Sequence, residues 1–139
     1  MSLRNFKRDV ALLTIGSAFE KTQAARTLAC HGAADCDAAD AIVAAGAIDP
    51  LVALVTNGAA GGQEQAAAAL GHLACDNAAN RAAITQSLVA LVANGATQCQ
   101  EEAAAVLANL ARDNAANQVA IAAAGAIPPI VTLVRNGGA

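Results

Sequence analysis

"DNAANRAAI" spans Asp76–Ile84, and "DNAANQVAI" spans Asp113–Ile121, 37 positions further on. A second frame recurs beside the first. "DVALLTIG" (Asp9–Gly16), "LVALVTNG" (Leu51–Gly58), "LVALVANG" (Leu88–Gly95) and "IVTLVRNG" (Ile130–Gly137) follow one another at offsets of 42, 37 and 42 residues. The register holds between the copies. Gln23-Ala24-Ala25 falls on Gln65-Ala66-Ala67, Leu28 falls on Leu70, and Glu102-Ala103-Ala104 with Leu107 comes 37 residues later. Self-similarity at this period marks a helical solenoid, in which one unit cannot bury its own apolar face and its neighbour does so.

Composition points the same way. Of 139 residues, 41 are alanine, and the rings come from Phe6 and Phe19 alone. Alanine is the best helix former, whereas strands favour β-branched and aromatic residues. The chain is therefore expected to be all-α, with a core of Leu, Ile and Val packed against closely approaching alanines. Each repeat reads as three helices. The first is short, near Ala78–Ala83 and Ala115–Ala123, and is opened by Asn or Asp in the capping region. The second is the Leu/Val run, such as Leu51–Val55. It is closed by Asn-Gly, so Gly58, Gly95 and Gly137 are expected to form left-handed caps. Pro50 and Pro128 fall in its first turn, where proline is accepted. The third is the longest, roughly Gln63–Ala74 and Cys99–Ala111. Its apolar positions Ala66, Leu70, Leu73 and Ala74 fall on one helical face.

Formal charge and chemistry exclude several classes. The net charge is −3, and Arg4, Lys7 and Arg8 are too few for a basic arm, so nucleic acid is not expected. No apolar run approaches the ~20 residues of a membrane span. No signal-peptide pattern opens the chain, and a soluble cytoplasmic protein is expected, with nuclear residence left open. Cys30, Cys36, Cys75 and Cys99 lack paired spacing, which in such a compartment favours apolar thiols over disulfides. Cys30, His31, Cys36, His72 and Cys75 do not have zinc spacing. No orienting group accompanies a Cys–His pair as a nucleophile would require. Neither Gly61-Gly62 nor Gly137-Gly138 precedes a Lys-Ser/Thr pair. The chain is expected to be no enzyme and to carry no cofactor or metal.

Specific words then resemble a known family. "AIVAAGAIDPLVALV" (Ala41–Val55), "AAAVLANLARDN" (Ala103–Asn114) and "NQVAIAAAGAIPPIVTLV" (Asn117–Val134) are similar to armadillo repeats, with Gly46-Ala47-Ile48 and Gly125-Ala126-Ile127-Pro128 at the junction of first and second helices and Leu107-Ala108-Asn109-Leu110 in the third. The resemblance covers roughly residues 9–137. It implies a right-handed superhelix of about three repeats plus a partial fourth: one armadillo domain over 1–139, with units near 9–50, 51–87, 88–129 and 130–139. It also implies a non-enzymatic scaffold that binds a protein or extended peptide in a concave groove lined by third helices.

In that family the Asn of Leu-x-Asn-Leu pins a peptide backbone, since an amide can both donate to and accept from one peptide unit. Asn109 matches it, and His72 and Cys30 occupy the equivalent positions. Members that read nuclear-import signals carry Trp one turn earlier. Here those positions are Ala105, Ala68 and Arg26, which departs from the import-receptor pattern. Glu64 and Glu101 lie two turns before the rungs, and Asp76 and Asp113 one turn after, so an acidic bias in the groove is set against ordinary capping. The expected groove residues are Asn109, His72, Cys30, Arg26, Glu101 and Glu64.

Two departures carry expectations of their own. Only Thr85-Gln86-Ser87 separates Ile84 from Leu88, with no Gly-Ala-Ile junction. First and second helices there either fuse or the first shrinks, and an irregularity is expected at 84–88. After "IVTLVRNGGA" no third helix follows, so the unit is read as a fragment of a longer array or as self-associating through an uncapped C-terminal end. The alanine excess and clean register also leave open an engineered repeat protein.

Overall fold

The computed structural model describes residues 6–74, 77–94, 97–112 and 114–137, and among these every regular element is helical. The order is α1 (Lys7–Ile15), α2 (Ala18–Ala34), α3 (Cys36–Ala44), α4 (Ile48–Asn57), α5 (Ala60–Leu73), α6 (Ala78–Asn94), α7 (Thr97–Ala111), α8 (Ala115–Ala123) and α9 (Ile127–Gly137). Contacts gather into two compact units, Met1–Asn77 with α1–α5 and Ala78–Ala139 with α6–α9.

In the first unit, α2 begins with a reciprocal cap. Ser17 Oγ accepts from the Glu20 amide at 3.2 Å, while Glu20 Oε1 accepts from the Ser17 amide at 3.0 Å. Two otherwise orphaned donors are satisfied at once. Helix α3 starts on Asp35, whose Oδ1 accepts from the Asp37 amide at 2.9 Å. Helices α3 and α4 then meet at 86°. Gly46 makes that corner with φ of 90°, a left-handed value that L side chains avoid. The α2–α5 pair is the most extensively packed in this unit. Its interface is small-residue rich: Ala25, Ala66 and Ala69 are fully buried, and a Cβ built on Gly32 would lie 3.4 Å from Leu73 Cδ2. Leu28, Ile42, Leu51, Val55, Leu70 and Leu73 fill the space around them.

The second unit repeats the scheme with one change. Helix α6 runs unbroken through the shortened junction, fusing first and second helices into 17 residues. The buried Thr85 sits inside this fused stretch. Its hydroxyl donates to Arg81 O at 2.8 Å and Ala82 O at 3.1 Å, so burying it strands no polar group. The intact junction returns between α8 and α9, where Gly125 has φ of 83°. Pro50, Pro128 and Pro129 all lie in the first turns of their helices, as proline permits.

The glycines expected as left-handed caps behave otherwise. Gly58 has φ −79° and ψ 171°, which is extended backbone. What requires glycine there is closeness. An added Cβ would meet Leu54 Cδ1 at 2.5 Å and Leu54 O at 2.6 Å. Gly16, one repeat earlier, has the same backbone and the same approach to Leu12 O. Gly137 is the last residue of α9, and Gly95 lies outside the described residues.

Candidate functional site

The recurring "DNAAN" frame has a physical role. Asn114 opens α8, its Oδ1 accepting from the Asn117 amide at 2.9 Å. Asn117, buried, reaches back with Nδ2 to Leu110 O at 2.8 Å, and Gln118 Nε2 reaches Ala111 O at 2.8 Å. The last carbonyls of α7 are thereby satisfied by the helix that follows. Asn80, at the equivalent place in the other copy, is also buried. Asn77 Nδ2 donates to Asp40 Oδ1 at 3.0 Å, tying the end of the first unit to α3. These asparagines are structural clasps that motif reading passed over. The available signal was the second Asn recurring at a fixed offset on an otherwise alanine-only first turn.

The third helices are α2, α5 and α7. On each, the buried face is set by residues three and four apart: Ala66, Ala69, Leu70 and Leu73 on α5, and Ala103, Val106, Leu107 and Leu110 on α7. The opposite side carries the residues expected to bind. Arg26 and Cys30 are exposed on α2, and Glu64 and His72 are exposed on α5. Packing of α2 on α5 brings these two pairs onto neighbouring helices; a Cβ on Gly32 would lie 3.6 Å from that of His72. Between Glu64 and His72 the exposed residues include Ala68 and Gly71, which leave little side-chain bulk above the helix. In the second unit, Glu101 and Asn109 are exposed on α7 with Ala105 and Ala108 between them. Asn109 Oδ1 accepts from Arg112 Nη2 at 3.2 Å, so its carbonyl is held by the cation one turn on. Asp76 and Asp113, expected to flank these positions, lie outside the described residues.

The cysteines depart from expectation at one place. Cys36, exposed on the first turn of α3, is disulfide-bonded, whereas Cys30 and Cys99 are not in a disulfide. An exposed first-turn thiol is open to oxidation in a way that a buried apolar one is not. Among the described residues, no group of three His, Cys, Asp or Glu side chains gathers as a metal site would require, and no single helix is long and apolar enough to cross a membrane. A cleft in the first unit, lined by Leu13, Thr14, Lys21, Pro50, Leu54 and Asn57 among others, includes none of the six expected groove residues.

Residues 35–75, which contain α3, α4 and α5, match the Armadillo/beta-catenin-like repeat family. The whole chain matches the crystal structure of an engineered protein at 32% identity and a TM-score of 0.65, covering 96% of this chain and 56% of that one. The chain belongs to the armadillo-repeat family. A structure of computationally designed armadillo repeat proteins for modular peptide recognition matches at 25% identity and a TM-score of 0.62, over 93% of this chain and 56% of that one. A designed armadillo repeat protein solved in complex with the peptide (KR)4 shares the fold at 24% identity and a TM-score of 0.62, over 94% of this chain and 57% of that one. No curated protein matches the chain. The armadillo chain thus spans just over half the length of these solved relatives. The matched family segment runs in the order α3–α4–α5, so a repeat is a short helix, the Leu/Val helix and the long alanine-rich helix.

Proposed function

We propose that this armadillo chain is a protein-binding scaffold that takes extended peptide segments on the exposed sides of its third helices, α2 and α5 in the first unit and α7 in the second. One observation carries the reading. Arg26, Cys30, Glu64, His72, Glu101 and Asn109 are all solvent-exposed, while the alternate faces of the same helices are sealed by Ala and Leu. The side chains can therefore meet a partner without disturbing the core. Ala68, Gly71, Ala105 and Ala108, also exposed, let a peptide backbone come close to the helix. Two packed helices already hold Arg26, Cys30, Glu64 and His72, so binding does not require the receptor to order them first. Designed armadillo proteins made for modular peptide recognition share the fold, which supports a peptide partner. Arg26, the glutamates and the amide of Asn109 favour a partner rich in polar and charged side chains.

Asn109→Ala tests this reading. Selection of binders from a library of unstructured peptides, followed by titration, is expected to give ligands whose affinity falls about 5- to 10-fold in the variant, the scale of one hydrogen bond lost. The melting temperature should not move, because Asn109 is exposed. A variant that loses stability in step with affinity would assign Asn109 to the fold. A variant that keeps full affinity would remove it from the surface.

A further inference from the structure

The cleft of the first unit is built by three helices. Leu13 and Thr14 come from the end of α1, Lys21 from the start of α2, and Pro50, Ala53 and Leu54 from α4. Its volume is about 250 Å³. Leu13 and Leu54 are buried and supply hydrocarbon. Gly58 and Gly62 make room for Leu54: a Cβ on either would meet its Cδ1, at 2.5 and 3.2 Å. Ala53, exposed on α4, is too short to fill the space.

Two donors in this lining are uncommitted. Thr22, Thr27, Thr56 and Thr85 each donate their hydroxyl to a carbonyl of their own helix, three or four residues back. The hydroxyl of Thr14 has no partner among the described residues, and Lys21, half-buried, pairs with no described carboxylate. Glu20, its neighbour in the chain, holds the Ser17 amide with Oε1 at 3.0 Å. No described acidic side chain lines the cleft. A full positive charge and a hydroxyl therefore share one small space with leucine side chains, and nothing within the described molecule uses either.

We infer that this cleft binds a small carboxylic acid with an aliphatic body, its carboxylate on Lys21 and Thr14 and its chain over Leu13, Ala53 and Leu54. One ammonium and one hydroxyl suit a single negative charge, and a charge-assisted hydrogen bond is the stronger kind. A phosphate monoester carries nearly two charges and asks for more donors than the lining offers. The volume lies just under the roughly 300–1,000 Å³ of pockets that take drug-sized ligands, so the body is one short chain. Burial of that chain supplies the attraction, and the charged end selects an acid over other hydrocarbons of the same length. The site is separate from the extended-peptide surface, since none of the six residues assigned to that surface lines it.

The probe is octanoate, titrated into the isotope-labelled full chain while NMR follows the backbone amides of Thr14, Lys21 and Ala53. Saturable shifts at those amides are expected, with Kd of about 1 mM, the scale of a small ligand in an open site. Lys21→Met keeps the stem and removes the charge, and should weaken binding at least about fivefold, the scale of one hydrogen bond to a charged group. Lys21→Arg should restore most of it. Octylammonium, with the same chain and the opposite charge, should leave these amides unmoved. Ala53→Leu tests the cleft without touching the charge. It fills the space from an exposed position, so octanoate shifts should vanish while the melting curve stays that of the parent. No saturable shift up to about 10 mM octanoate would overturn the proposal. So would octylammonium binding as well as octanoate, or octanoate affinity that both Lys21→Met and Ala53→Leu leave unchanged.

Discussion

Val55 in α4 and Val134 in α9 hold the same place in the same eight-residue frame, yet one is 1% exposed and the other 69%. Their helices begin alike. Each follows a glycine with φ near 90° (Gly46 at 90°, Gly125 at 83°), and each carries proline in its first turn. The pattern of apolar residues along each is the same. What differs is the neighbour: α5 lies on α4, and no described helix lies on the matching side of α9. The comparison separates two quantities that sequence patterns merge. Periodicity says which side of a helix is apolar; whether that side leaves water depends on a second helix.

The largest expected effect sets aspartate at each of these positions. Val55→Asp buries an unpaired carboxylate and should cost at least about 3–5 kcal/mol, enough to unfold a marginal domain. Val134→Asp should stay within about 0.5 kcal/mol of the parent in a urea melt. Equal losses would mean that the α9 side is covered in solution. A middle effect comes from truncation one helical turn earlier in the frame. Leu51 is fully buried and Ile130 only half-buried, so Leu51→Ala should cost about 2–5 kcal/mol and Ile130→Ala roughly half as much. A ratio near one would show that the inner side of α9 is packed as tightly as that of α4. The smallest effect tests what the two helices share. No atom lies within 4 Å of a Cβ added to Gly46 or Gly125, so alanine there suffers only from the backbone angle. Each substitution should cost about 1–2 kcal/mol in thermal denaturation. Unequal values would show that the two corners are not the same device.

Much of the fold was legible in the chain. The repeat period, the three-helix unit, the first helix Ala115–Ala123 and the altered junction at 84–88 all follow from local signals: capping Asn, proline placement, glycine absence and apolar spacing; that the two helices fuse there rather than the first shrinking was decided by the fold. Local signals succeed here because alanine leaves few competing conformations and each repeat restates the last. The misreadings have a common origin in contacts made across space. The Gly58 frame looks like a left-handed cap, but glycine is required by the approach of Leu54, which no spacing rule reveals. Asn117 carried no reading of its own in the repeated frame and is a buried clasp on Leu110. Cys36 looked like an apolar thiol and is bonded to another sulfur. For the candidate binding residues, the sequence register placed all six on third helices, where each is solvent-exposed. Which partner meets them is chemistry that register does not encode.

By itself, then, the amino-acid order determined that this is an all-helical armadillo chain, where its helices start and bend, and which of their sides are oily. These are properties of dihedral preference and periodicity, carried by a few residues at a time. Only the tertiary arrangement decided which oily sides are sealed, which glycines are crowded and which amides are buried. Burial belongs to pairs of helices, and identical frames can be paired in one place and left open to water in another.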